Sequence, residues 1–116
     1  MTILSAWFFA ALTLYWQVSG ELDRAHTVFV HLLDEEGRLR GQGDGPPLDG
    51  AYPTSHWDLG EELVDVHTLH VSDQAQSGEY RLVVGLYTLD DGQRLPVTGG
   101  PATGADNVEI TPLTIR

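Results

Sequence analysis

Aromatic and polar side chains that suit sugar binding stand close together in one stretch of the sequence, residues 41–60, which is rich in glycine, proline and aspartate. An indole beside a phenol offers flat apolar area to the C–H faces of a sugar ring, while carboxylate and imidazole groups bind its hydroxyls. We therefore predict a ligand-binding site in which Trp57 and Tyr52 stack and His56 and Asp44 make polar contacts. The alternative is structural, with Trp57 plugging an open edge of the fold and Tyr52 packed beneath the loop.

Other groupings of polar residues could in principle bind a metal ion or catalyse a reaction, but their spacing is weak evidence for either function. His31 lies near Asp34, and His67 shares a strand face with Asp65, yet no H-x-H or H-E-x-x-H arrangement is present. Ser55 cannot act with the adjacent His56, because a nucleophile and its base converge from different elements. We predict no metal site, no cofactor and no enzymatic activity.

Charge and composition restrict the classes of partner. Seventeen acidic and six basic residues give the chain of 116 residues a formal net charge of −11. A surface of this charge repels phosphate, so we expect neither nucleic acid binding nor insertion of the folded domain into a membrane. The sequence has no cysteine, which excludes disulfides, so stability comes from packing alone.

Strand periodicity is clearest over Gly78–Tyr87, where apolar residues alternate on one face. Turn residues at 34–37 (Asp-Glu-Glu-Gly) predict a tight hairpin, with Gly37 at positive φ. Pro112 requires a bulge or an edge position in the last strand. Further strands are predicted at 12–17, 26–34, 38–42, 61–71, 93–97 and 107–115.

These strands, with no helical period, predict an all-β fold. We expect a two-layer antiparallel β-sandwich of six to seven strands or more, immunoglobulin/fibronectin-like or jelly-roll-like. A single domain is expected over residues 10–116. Residues 1–9 are mostly apolar, and we expect them to be a leader or the remnant of a longer chain.

Several short motifs occur in an order that resembles a known domain. They are Leu-Tyr-Trp at 14–16, Val-Phe-Val-His-Leu-Leu-Asp at 28–34, Gly37, Asp-Gly-Pro-Pro at 44–47, Tyr-Pro-Thr-Ser-His-Trp at 52–57, Gly-Glu at 60–61, Gly-Glu-Tyr at 78–80, Val-Gly-Leu-Tyr at 84–87 and Arg-Leu-Pro at 94–96. Over residues 12–116 the chain resembles the β-sandwich domain that follows membrane glycosyltransferases of the mannosyltransferase-like type, especially in Chloroflexi-like bacteria. The resemblance implies a location outside the cytoplasm, near the membrane enzyme.

Two functional hypotheses follow from the residues and the resemblance together. The first is a noncatalytic accessory domain that binds glycan or positions a sugar substrate for an associated membrane glycosyltransferase. The second is a structural or protein-interaction domain without a small-molecule ligand, which docks through exposed strand edges on the membrane enzyme or on another copy of itself.

Overall fold

The computed structural model describes residues 8–96 and 104–115, and in this part of the chain six strands form one antiparallel sheet. The order across the sheet is β1-β4-β3-β2-β5-β6, and the sheet curls into a half-barrel. Two short 3₁₀ turns, Pro47–Gly50 and Thr54–His56, lie between β3 and β4. The strands are β1 Phe8–Gln17, β2 Thr27–Leu33, β3 Leu39–Gln42, β4 Glu62–Val71, β5 Gly78–Tyr87 and β6 Val108–Ile115.

The predicted all-β class is confirmed, since the described strands form one curled antiparallel sheet, and the two-layer arrangement stays a prediction. The strand predicted at 93–97 is wrong over its described part, where Arg94 forms only an isolated bridge with Tyr87. β1 begins at Phe8, within the segment expected to be a leader. Residues 1–7 of that segment lie outside the described residues.

Alternation along the strands places the core on the concave side of the sheet. Val28, Val30 and Leu32 of β2 are at most 1% exposed. The apolar face predicted for β5 is confirmed, because its alternate residues are also buried. The core consists of Leu14, Val28, Val30, Leu32, Leu69, Tyr80, Leu82, Val84 and Leu86.

The predicted hairpin joins β2 to β3. Gly37 adopts φ 82°, and its N–H donates to the Asp34 carbonyl at 2.9 Å. Partial burial of Asp34 opposes ionisation, but hydrogen bonds from the Arg38 N–H, the Arg40 side chain and the Glu36 N–H outweigh it and lower the pKa of that carboxyl to about 2. The turn is therefore organised around a carboxylate that stays ionised in mild acid.

Pro112 lies on β6, which is an edge of the sheet, as its sequence requires. It pairs with Arg81 of β5, and the register shifts between Arg81 and Val83. Proline has no backbone N–H, and on an edge strand this does not remove a hydrogen bond from the centre of the sheet.

Phe29 is the main buried side chain on the convex side, at 1% exposure. The Arg94 guanidinium stacks 4.2 Å from the centroid of its ring. Arg94 also forms an ion pair with Asp106, at 3.2 Å between Nη1 and Oδ1.

Gly85 sits directly opposite Phe29 and leaves room for its ring. A Cβ at Gly85 would meet the Phe29 ring at 2.3 Å and the Asp106 carbonyl oxygen at 2.9 Å. We expect Gly85→Ala to lower the free energy of unfolding by about 1 to 3 kcal/mol through overpacking, measured by urea denaturation. The control is Gly20→Ala, where nothing lies within 4 Å. Equal stability of the two variants would contradict the close packing at Phe29.

Candidate functional site

The long connection between β3 and β4, residues 43–61, covers a strand that is short of a partner. β4 pairs with β1 at ten positions but with β3 at only two, Gly41↔Val71 and Gln42↔His70. The turn at Pro47–Gly50 packs against β4 where β3 has ended. All four predicted site residues lie in this connection.

Trp57 is buried within it, at 8% exposure. Its ring centroid lies 6.0 Å from that of Trp16 on β1, and its Nε1–H donates to the Tyr52 carbonyl at 2.9 Å. The indole is thus enclosed by β1 and by its own loop. It presents no open face to a sugar ring in this structure, and stacking through Trp57 stays a prediction.

A hydrogen bond links Tyr52 to the backbone of His56 within the loop. The Tyr52 hydroxyl lies 2.7 Å from Glu61 Oε1 and 2.9 Å from the His56 carbonyl. The hydrogen bond to Glu61 raises the pKa of Tyr52 to about 12. Glu61 also accepts the Asp58 N–H, and this bond, followed by the one from Tyr52, lowers the pKa of the Glu61 carboxyl. The phenol therefore closes the loop on itself.

Thr54 anchors the loop to the connection between β1 and β2, and it is fully buried. Its Oγ1 accepts the His26 N–H at 2.8 Å and donates to the Arg24 carbonyl at 2.9 Å. Both contacts lie in the connection between β1 and β2, so the second 3₁₀ turn is held at a fixed distance from that connection.

The contacts that the structure describes for Asp44 are with Val30 and His31, and not with Trp57 or Tyr52. Its Oδ1 accepts the Val30 N–H at 3.0 Å and is 3.4 Å from His31 Nε2. Asp44 also borders an open groove of about 680 Å³, whose polar lining includes Gln42, Asp49 and Thr68. The structure thus brings Tyr52, His56 and Trp57 together and places Asp44 in a separate groove.

A buried polar cluster, centred on Asp65, holds the loop to the sheet, and the sequence did not predict it in this role. Asp65 is fully buried. Its Oδ2 accepts the Trp16 Nε1–H at 3.0 Å and lies 2.7 Å from His67 Nε2, while its Oδ1 accepts the Leu48 N–H at 2.9 Å. Leu48 has φ 55°, an unfavourable value for a residue with a side chain, and this hydrogen bond helps to hold it.

His67 is engaged at both ring nitrogens. Nδ1 lies 3.0 Å from the Gly43 carbonyl oxygen, and Nε2 lies 2.7 Å from Asp65. A neutral imidazole donates from only one nitrogen, so both bonds form together when either the ring or the Asp65 carboxyl carries an additional proton. Neither nitrogen is left to take a proton from a substrate, so the arrangement is suited to fixing the loop.

The signal in the sequence is weak: Asp65 and His67 share their face of β4 with Leu63 and Leu69, while Val64 and Val66 lie on the other face, so the alternation left either face free to be the buried one. The sequence expectation considered that pair only as ligands for a metal between strands. Among residues 8–96 and 104–115, no group of three or more histidine, cysteine, aspartate or glutamate side chains is arranged to hold a metal ion.

Replacing the Asp65 carboxyl group by an amide tests whether the cluster holds the loop. We expect Asp65→Asn to lower the free energy of unfolding by about 3 to 5 kcal/mol, the cost of removing one partner of a buried pair. The measurement is urea denaturation followed by tryptophan fluorescence. The control, Glu62→Gln, neutralises an exposed carboxylate on the same strand and should change stability by less than about 0.5 kcal/mol. A small effect at Asp65 would mean that the loop is held by its other contacts.

Comparison of the chain with known protein families, with curated proteins and with solved structures finds no match. The resemblance to the domain behind membrane glycosyltransferases therefore stays a prediction. Within the described ranges, no helix has the length and apolar character needed to cross a membrane.

Proposed function

We propose that this chain is a noncatalytic domain that docks on another protein through the convex side of β1 and β4. The observation that carries the proposal is an uncharged face, formed by exposed side chains that neighbour one another across the two strands. Tyr15 is 79% exposed and pairs directly with Val64, which is 55% exposed. The uncharged face consists of Ala11, Thr13, Tyr15, Val64, Val66 and Thr68.

The composition of the rest of the chain makes this face distinctive. Seventeen acidic and six basic residues keep the protein at −11, yet none of them belongs to these six positions. Val66 is 59% exposed and lies across from Thr13, so the apolar area is continuous along the ladder. Contiguous exposed apolar area depleted in charge is typical of a protein-interaction surface.

Docking on this face would also account for the second layer of the predicted sandwich. A curled sheet buries its concave side on its own core, whereas the convex side of β1 and β4 has β-branched and aromatic residues facing outward. A sheet or helix of the partner packed on those residues would make a two-layer arrangement across the interface.

In this proposal the partner is taken from the resemblance and is an associated membrane glycosyltransferase. The domain lies outside the cytoplasm and acts as an accessory to that enzyme. The acidic charge agrees with a neutral or cationic docking surface on that enzyme. In this proposal the domain contributes no catalytic group, and its buried histidine and carboxylate serve the loop.

A photocrosslinking amino acid at Tyr15 tests docking on the uncharged face. Expressed in cells of the source organism, the Tyr15 variant should give a discrete adduct with a membrane protein, distinct from any adduct between two copies of the chain, because its side chain would lie in the interface. Mass spectrometry of the adduct identifies the partner. The matched control carries the same crosslinker at Arg81, which is exposed on β5. Equal adducts at both positions, or none at Tyr15, would contradict the proposal.

Glycan binding is a second candidate function, favoured by the polar groove beside Asp44. Gln42, Asp49 and Thr68 line it together with Asp44, and their amide, carboxylate and hydroxyl groups are those that bind sugar hydroxyls. The groove is open and needs no rearrangement of Trp57. The carbohydrate would lie between the start of the loop and residues 66–70 of β4.

A glycan array separates this candidate from the docking function. If the groove binds a glycan, Asp49→Ala should reduce the array signal about tenfold or more, the loss expected for one charge-assisted hydrogen bond. Asp23→Ala removes the same charge from a position that does not line the groove, and it should bind as the unmodified protein does. Silence of the unmodified protein, or equal binding by the two variants, would reject the groove as a glycan site.

A further inference from the structure

β1 is an edge strand that lacks the features that usually protect an edge. It runs for ten residues, Phe-Phe-Ala-Ala-Leu-Thr-Leu-Tyr-Trp-Gln, with no charged residue and no proline. The opposite edge, β6, carries both Glu109 and Pro112. Charged residues and prolines on edge strands prevent pairing with other chains, so the two edges of this sheet differ in their capacity to pair.

The hydrogen-bond phase of β1 shows which backbone groups face its free edge. The Val18 N–H donates to the Glu61 carbonyl at 2.9 Å, so even-numbered residues of β1 bond to β4. Because backbone direction alternates along an antiparallel strand, the odd-numbered residues from Phe9 to Gln17 direct their N–H and C=O groups toward the free edge. Among the described strands, none pairs with that edge.

We infer that β1 pairs antiparallel with β1 of a second copy of the chain, with the Thr13 residues facing each other on the two-fold axis. This register brings edge-facing residues together and pairs Phe9 with Gln17. A register centred on Leu12 would instead leave Gln17 without a partner in β1. The inference goes beyond docking on the uncharged face, because it concerns the backbone edge of β1.

The sequence of β1 is size-complementary to its own reverse in this register. Tyr15 stands across from Ala11 of the second copy, and Trp16 across from Ala10 of the second copy. Leu12 meets Leu14 of the second copy, and Thr13 meets Thr13, a favourable cross-strand pair. The two aromatic side chains Tyr15 and Trp16 therefore each meet an alanine of the second copy, so the edge is complementary to itself, as an interface between identical surfaces requires.

The surroundings of the free edge favour the same occupant. An apolar cleft of about 290 Å³ lies beside β1, lined by residues that include Leu14, Leu86 and Val108. The concave-side leucines of a paired strand would extend over this cleft. Two copies at −11 each repel one another at charged surfaces, and the uncharged edge is where they approach at least cost.

Crosslinking through single cysteines tests the register directly, because the chain has no cysteine of its own. Facing residues of a hydrogen-bonded antiparallel pair have Cα atoms about 5.5 Å apart, within the span of a disulfide. Thr13→Cys should therefore form an intermolecular disulfide under mild oxidation. Thr68→Cys, exposed on the same side of the sheet but one strand inward, should remain a thiol.

The mass in solution tests the dimer without any crosslink. Light scattering should give twice 12.7 kDa for the unmodified chain. Thr13→Lys places two ammonium groups face to face and should raise the dimer dissociation constant about tenfold or more. Thr68→Lys adds the same charge and should leave the dimer intact, although it should weaken docking on the uncharged face. The mass in solution therefore tests the β1 dimer, and docking tests the uncharged face, so the two proposals can be distinguished.

A monomeric mass for the unmodified chain at high concentration would overturn the inference. So would equal disulfide formation at Thr13→Cys and Thr68→Cys, which indicates random collision, or a dimer that Thr13→Lys and Thr68→Lys affect alike, which indicates a different interface. Circular dichroism of each variant establishes that the sheet is retained in these comparisons.

Discussion

The carboxylate of Asp65 is the point on which the arrangement of this domain depends. It is fully buried, and it accepts hydrogen bonds from Trp16 on β1 and from the backbone of Leu48 in the long loop. His67, bound to the same carboxylate, reaches Gly43 at the start of that loop. A buried carboxylate is costly unless its oxygens are satisfied, so strand, loop and histidine must come together for any of them to be stable there.

The consequence of this constraint is that the long loop is structural along most of its length. β4 has β3 beside it at only two positions, and the loop supplies the remaining cover. Trp57, which could have offered a ring to a ligand, packs on Trp16 beside the carboxylate. The surfaces available to a partner are then the groove beside Asp44 at the start of the loop, the convex side of β1 and β4, and the free edge of β1.

Alternation in the sequence predicted the six described strands, together with one at 93–97 that does not form over its described part, but not which face of each strand the fold would bury. Gly78–Tyr87 and the hairpin at Gly37 were predictable, because the apolar period and the turn residues act locally. β4 was ambiguous: Val64 and Val66 face solvent, whereas Asp65 and His67 face the core. Only the contacts with a distant loop make the polar face the buried one. The exposure of Trp57 was unpredictable for the same reason, since it depends on Trp16.

A curled sheet that stops at a half-barrel leaves two edges, and the molecule treats them differently. β6 carries a proline and a carboxylate, which make addition of another strand unfavourable. β1 cannot easily carry charge on its concave side, because Leu14 belongs to the core and Trp16 serves the buried carboxylate. Its convex residues have no such restriction, yet Ala11, Thr13 and Tyr15 are uncharged and exposed. The absence of charge there is thus not a requirement of the fold, which is the physical reason to assign β1 to an interface.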